Sequence, residues 1–243
     1  MEQFPKIFVL HVKTGYEDRA RHIEKMTAKL GLSFEYMLDG DMGDLTQEGM
    51  DRFFAPPMNT VSAATSCGMK HLLVYERIEA ECPDGAVVLE DDIFLNRRFL
   101  EILPRSIRQA REFSGGKPFW IGYEATCLKF IPRSRRKKGV VAYPADEIQC
   151  AGAYYVTQEC AALLRRLTAE QKCSVPYDWF VTSLHRQGGF DIYWTHPVTA
   201  VQGTHTGRMP SSIGNSVDSQ WRLWVRVKRP LTAFYKQIVS WFR

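Results

Sequence analysis

The stretch Ala86-Val-Val-Leu-Glu-Asp-Asp92 decides how this chain reads. Four apolar residues make a short buried strand, and three carboxylates follow without a break. The turn Pro83-Asp84-Gly85 precedes it. In open α/β sheets, ligands collect beyond the carboxyl ends of strands, where Glu90, Asp91 and Asp92 fall. Three adjacent carboxylates repel one another unless a cation neutralises them. A hard divalent ion takes carboxylate oxygens and can also bind a nucleotide diphosphate. It then acts as a Lewis acid on a departing phosphate oxygen. The competing reading is a solvated acidic turn whose acids cap the next helix.

Working outward toward the N-terminus, the segment from Ser62 predicts a long helix on which Cys67, His71, Val74 and Ile78 share a face. A short helix near Gln47 to Phe54 precedes it, stopped by Pro56-Pro57. Lys6-Ile-Phe-Val-Leu-His-Val12 is an apolar, β-rich first strand. Glu17 to Leu30 has helical spacing, with Ile23, Met26 and Leu30 on one face and Gly31 as its stop. Ser33 to Leu38 then reads as a strand before the turn Asp39-Gly40-Asp41. This β-α-β unit favours a parallel sheet with a right-handed crossover.

Toward the C-terminus, Arg97 to Phe113 predicts a helix kinked or divided at Pro104. Lys117 to Tyr123, Ala151 to Val156 and Asp191 to Trp194 read as strands, with helices over Gln158 to Leu167 and after Pro176. Gly203 to Ser216 reads as a loop. The alternation of strands and helices argues for one α/β domain.

Composition bounds the function. The 243 residues are 45% hydrophobic and 24% charged, which excludes global disorder. No apolar run reaches the roughly 20 residues that span a bilayer, and Met1 to Lys6 carries no export signal. The six cysteines are scattered without a C-x-x-C pair and read as reduced, mostly core thiols. The net charge of +5 is uneven: residues 219–243 hold six basic groups and no acid, leaving 26 basic and 27 acidic groups before them. The chain divides accordingly into a body, 1–218, and a cationic aromatic tail, 219–243.

Several motifs occur together. Ser66-Cys-Gly-Met-Lys-His71, the strand ending in Glu90-Asp91-Asp92 and the late Ser211-Ser212-Ile213 stand in the order seen in glycosyltransferase family 25. Ile7–Leu10 with Asp18-Arg19, Asp39-Gly40, Gly152-Ala-Tyr-Tyr155 and Pro176-Tyr-Asp178 agree as well. From about residue 6 to 216 the chain resembles this lipopolysaccharide or lipooligosaccharide galactosyltransferase family. It departs at Lys70, where the family usually has Ser, and at His11-Val12, where a polar step such as Asn-Leu is usual.

The resemblance implies a GT-A-like nucleotide-sugar-binding fold, with a mostly parallel central sheet flanked by helices. It implies a UDP-sugar donor, most often UDP-galactose, and a divalent cation, typically Mn²⁺. Carried over by position, Asp92 and either Glu90 or Asp91 serve the metal, the diphosphate or the donor ribose. Leu10, His11, Val12, Thr14, Arg19, Asp39 and Gly40 line the nucleotide pocket, and Ser211 and Ser212 close over the donor phosphates.

The residues themselves leave alternatives. Arg19 reads as a bidentate diphosphate donor or as a helix arginine paired with Glu17 or Asp18. Asp39 is an acceptor for uracil or ribose, or a turn aspartate. His71 is a core histidine or a support for the donor site. Asp178 is a helix cap or the general base that deprotonates the acceptor hydroxyl. His205 completes the metal sphere or lies on a surface loop. The basic loop Arg133 to Lys138 is solvated or meets an anionic acceptor.

Three functions follow. The first is a metal-dependent galactosyltransferase acting on a lipooligosaccharide core, cytoplasmic and peripherally attached to the inner membrane through the tail. The second is a metal-dependent nucleotidyltransferase, which releases pyrophosphate instead of UDP. The third is a non-enzymatic protein that binds membrane or nucleic acid through the tail. The neutral body and the lack of a nucleic-acid motif argue against a nucleic-acid partner, and Trp221, Trp224, Trp241 and Phe242 suit headgroup depth.

Overall fold

The computed structural model describes residues 4–125 and 129–210, together with 232, 234–236, 238 and 239. The apolar runs become a seven-stranded sheet in the order β2-β1-β3-β7-β5-β8-β6. Its strands are β1 (Lys6–Leu10), β2 (Glu35–Met37), β3 (Ala86–Glu90), β5 (Phe119–Gly122), β6 (Ala142–Ala145), β7 (Ala153–Val156) and β8 (Asp191–Thr195). β2, β1 and β3 are mutually parallel; β7 runs against β3 and β5, β8 follows β5, and β6 reverses. Five of the seven strands therefore share one direction. Strands β4 (Ile93–Leu95) and β9 (Ala200–Gln202) form a separate antiparallel pair beside the carboxyl end of β3.

Side-chain alternation along the strands feeds two cores. Phe8, Leu10, Val88, Trp120, Tyr154 and Val156 join one cluster; Ile7, Val9, Val87, Leu89, Ile121 and Tyr155 join the other. Helices α2 (Gln47–Phe53), α3 (Ala63–Glu81), α5 (Gln158–Gln171) and α6 (Tyr177–His185) contribute to the first. Helices α1 (Glu17–Leu30) and α4 (Phe99–Ser114) contribute to the second. Burial on both faces explains why β1 and β3 read as continuous apolar runs.

Helix ends follow local chemistry. Gly31 ends α1 at φ 68°, Ser62 Oγ caps α3 by accepting from Thr65 N at 3.1 Å, and Thr157 caps α5. Two expectations need correction. Pro104 does not divide α4, because Phe99, Ile102, Leu103, Ile107 and Ala110 form a buried stripe that holds both halves on the sheet. The segment after Gln202 is not loop from its start: Gly203–Thr206 forms the single turn α7 against Asp92. Among the described cysteines, 82, 150, 160 and 173 are buried and Cys67 is half-buried. No helix among the described residues is long and apolar enough to cross a membrane.

Candidate active site

The parallel register of β1 and β3 sets Leu10 opposite Glu90. The next residue on each chain therefore meets its neighbour: His11 Nδ1 lies 2.7 Å from Asp91 Oδ2. Arg19, from the first turns of α1, donates to Asp91 Oδ1 at 2.7 Å and to the Pro210 carbonyl at 2.6 Å. Both oxygens of the buried Asp91 thus face basic side chains. Arg19 pairs with Asp91 and not with Glu17 or Asp18.

Asp92 faces the other way. Its Oδ2 accepts from Thr204 Oγ1 at 2.7 Å and Thr204 N at 3.2 Å, and its carbonyl accepts from Gly203 N at 2.7 Å. Its Oδ1 is buried with no hydrogen-bond partner among the described residues. Burial, and after it the charge of Glu90, push the Asp92 carboxyl up to about 6. Glu90 Oε2 accepts from Gln202 Nε2 at 2.6 Å, and its Oε1 lies 3.7 Å from Cys67 Sγ and 3.6 Å from His71 Nε2.

A fourth acid escapes a reading of the sequence. Glu124, just beyond β5, is buried and accepts from Gly152 N at 2.6 Å. Burial first, and the charge of Glu90 after it, hold its carboxyl well above the usual range. Its signal is the same as that of the triplet, an acid soon after an apolar strand, but a lone Glu two residues beyond Gly122 carries little weight by itself.

The turn after β2 is pinned from α3. Lys70, 4% exposed, donates to the carbonyls of Leu38 and Asp39 at 3.0 and 3.1 Å and pairs with Asp41 Oδ1 at 2.7 Å. Ser66 Oγ donates to Gly40 O at 2.7 Å. Gly40 has φ 89°, and a Cβ there would press on Leu73 and Lys70, so the turn requires glycine. Asp39 is left with its side chain exposed and 3.8 Å from Lys13 Nζ. The departure from the usual Ser at position 70 therefore has a structural role.

The helical face of α3 brings Cys67 and His71 to Glu90. His71 is fully buried; its Nδ1 bonds Tyr154 Oη at 2.8 Å and its ring stacks on Tyr177, centroids 5.3 Å apart. Asp178, in the first turn of α6, has Oδ1 bonded by Trp179 N at 2.9 Å. Burial, partly offset by that N–H and reinforced by the charge of Glu90, raises its carboxyl above the ordinary value.

The structure thus gathers Leu10, His11, Arg19, His71, Glu90, Asp91, Asp92 and Asp178 around the carboxyl ends of β1 and β3, with Asp39 and Gly40 on the flanking turn. Val12 is half-buried and Thr14 exposed on the loop beyond β1. His205 Nδ1 lies 3.8 Å from Cys150 Sγ. Ser211 and Ser212 lie outside the described residues, as does most of the tail; Phe234 and Tyr235 are helical and exposed there.

Comparison with known proteins defines the class. The profile of glycosyltransferase family 25 (LPS biosynthesis protein) matches residues 4–181. The chain belongs to that family, and so to the glycosyltransferases. No curated protein matches it. Among solved structures, it resembles a glycosyltransferase involved in glycosylation of the major capsid of PBCV-1, with 12% identity, a TM-score of 0.38 and coverage of 77% of this chain and 82% of that one. A putative glucose-1-phosphate thymidylyltransferase from Bacillus anthracis, in complex with a sucrose, gives 12% identity, a TM-score of 0.34 and coverage of 81% and 70%.

Proposed function

We propose that the chain transfers galactose from UDP-galactose to the core of a lipooligosaccharide or lipopolysaccharide acceptor. The observation that carries this reading is the partnerless, buried Oδ1 of Asp92 at the carboxyl end of β3, in a chain of family 25. A carboxylate with one oxygen fixed by Thr204 and the other unsatisfied fits a hard cation. Mn²⁺ held there, with Glu90 adjacent, would supply Lewis-acid stabilisation of the departing diphosphate. Asp91, already paired with His11 and Arg19, serves instead to orient those two side chains toward the donor.

Asp178 is the proposed base. Its Oδ1 is fixed by Trp179 N, so Oδ2 takes the acceptor proton as the hydroxyl attacks the anomeric carbon. Burial strengthens it as a base by raising its carboxyl. The turn held by Lys70 presents Asp39 for the uridine. The tail, 219–243, is proposed to hold the enzyme on the cytoplasmic face of the inner membrane, each basic residue contributing on the order of 1 kcal/mol at an anionic surface.

The test is UDP release from a panel of UDP-sugars, with and without Mn²⁺, on a lipooligosaccharide acceptor. UDP-galactose is expected to turn over fastest and only with metal. Wild-type turnover by Asp92→Ala would sink the assignment, and release of pyrophosphate from a nucleoside triphosphate would favour a nucleotidyltransferase.

A further inference from the structure

We propose a zinc site, distinct from the hard-cation position at Asp92, formed by Cys67 Sγ, His71 Nε2 and Glu90 Oε1. The three ligand atoms lie within 4.8 Å of one another. Two of the edges are measured: 3.6 Å from His71 Nε2 to Glu90 Oε1 and 3.7 Å from Cys67 Sγ to the same oxygen. Zinc bonds of about 2.3 Å to sulfur and about 2.1 Å to nitrogen or oxygen make tetrahedral edges of roughly 3.4–3.6 Å. Those two edges need only a few tenths of an ångström of closure, and the third, from Cys67 Sγ to His71 Nε2, at most about 1.2 Å.

The second observation is the state of His71. The ring is fully buried, and its Nε2 has no hydrogen-bond partner among the described residues. Glu90 Oε1 is too far away to serve as one. A buried imidazole nitrogen left unsatisfied is costly, and a metal bond removes that cost. The supporting contacts suit a ligand set. Tyr154 Oη lies 2.8 Å from Nδ1, and in the tautomer protonated at Nδ1 the phenol oxygen accepts that proton and Nε2 offers its lone pair to the metal, while Gln202 Nε2 anchors the other oxygen of Glu90. Stacking on Tyr177 fixes the plane of the imidazole.

The donor set chooses the ion. Thiolate and imidazole together favour zinc over magnesium or manganese, and an i, i+4 pair on α3 presents both from one helical face. Three protein ligands leave a fourth position open, as in sites that bind water or a substrate oxygen. Zinc uptake displaces the Cys67 thiol proton to solvent.

The experiment uses the full-length, reduced, chelator-stripped protein titrated with Co²⁺ as a spectroscopic probe. The expected result is a thiolate-to-cobalt charge-transfer band with intense visible bands of four-coordinate cobalt, displaced by Zn²⁺ and not by Mn²⁺. Cys67→Ser should abolish the charge-transfer band with an unchanged circular dichroism spectrum, while Cys82→Ser retains it. Glu90→Gln, which keeps both helix ligands, should weaken cobalt binding about tenfold or more. A wild-type protein without the band, a band that persists in Cys67→Ser, or an unchanged affinity in Glu90→Gln overturns the assignment. UDP release enters none of these readouts, so failure of this site and failure of the transferase reading are distinguishable.

Discussion

At the scale of single residues, the site is a contrast between neighbours. Asp91 is paired with Arg19 and hydrogen-bonded to His11, whereas Asp92, one residue on, is held by a hydroxyl and an amide and keeps an oxygen unsatisfied. Asp178 and Glu124 are both raised by burial, with different consequences. Asp178→Asn should lower kcat by about 10²- to 10⁴-fold, the usual contribution of a positioned base. Because the ionised form is active, the wild-type rate should fall as pH drops through the raised carboxyl value. In the Asn variant the part of that limb due to Asp178 should vanish, leaving the fall that Asp92 causes at about pH 6, as kcat profiles against pH would show. For Glu124 the effect is on stability. Its folded-state value lies above the ordinary 4.5, so between those two values the fold binds more protons than the unfolded chain and loses stability as pH rises. Glu124→Gln removes this dependence. The Tm of wild type relative to the Gln variant should therefore decline as pH rises above the ordinary carboxylate range; a constant difference contradicts the buried, raised carboxyl.

At the scale of elements, legibility tracked how local the determining interactions are. Helix α1 spans the residues its spacing predicts, because an apolar stripe and Gly31 define it without outside help. Strands β4, β6 and β9 were not legible. β4 and β9 are three residues each and pair across more than a hundred positions, and β6 is an edge strand containing Pro144. The reversal of β7 was equally hidden, since an apolar run does not encode its direction. The acidic triplet was legible as a cluster at the carboxyl end of a strand, but the division of its members between different partners was not. That division depends on the β1–β3 register and on Thr204, both set by tertiary structure. Lys70 shows the same limit: at the sequence level it is a departure from a motif, and in the fold it is the post that holds the turn after β2. Lys70→Met keeps the apolar stem and leaves Asp41 without its cation. It should cost about 3 kcal/mol of stability, as broken buried pairs do. It should also raise the KM for donor more than it lowers kcat, as denaturation curves and steady-state kinetics would show.

At the scale of the whole molecule, a near-neutral α/β body precedes a segment with six cations, no acid and several aromatics. Deleting residues 219–243 should leave the Tm of the body within about 1 °C, because among the described residues neither core draws on any beyond Ala200. Binding to vesicles of anionic lipid should fall at least tenfold, since six basic side chains at such a surface supply several kcal/mol. Unchanged vesicle binding in a sedimentation assay would refute the tail's role. The short segment from Gly203 to Pro210 also carries a consequence for how this chain can change in length. It is tied at one end by Gly203 N to the Asp92 carbonyl and at the other by Arg19 to the Pro210 carbonyl. Both ties lead to the acidic triplet, so an added residue between them, even one that bulges toward solvent at the exposed Thr206 to Arg208, pulls on one of the two anchors. The exposed turn around Arg133 to Gly139 has no such double tether to the triplet. Insertions and deletions should accumulate in that turn, while the eight positions from Gly203 to Pro210 keep a fixed count even as their side chains drift.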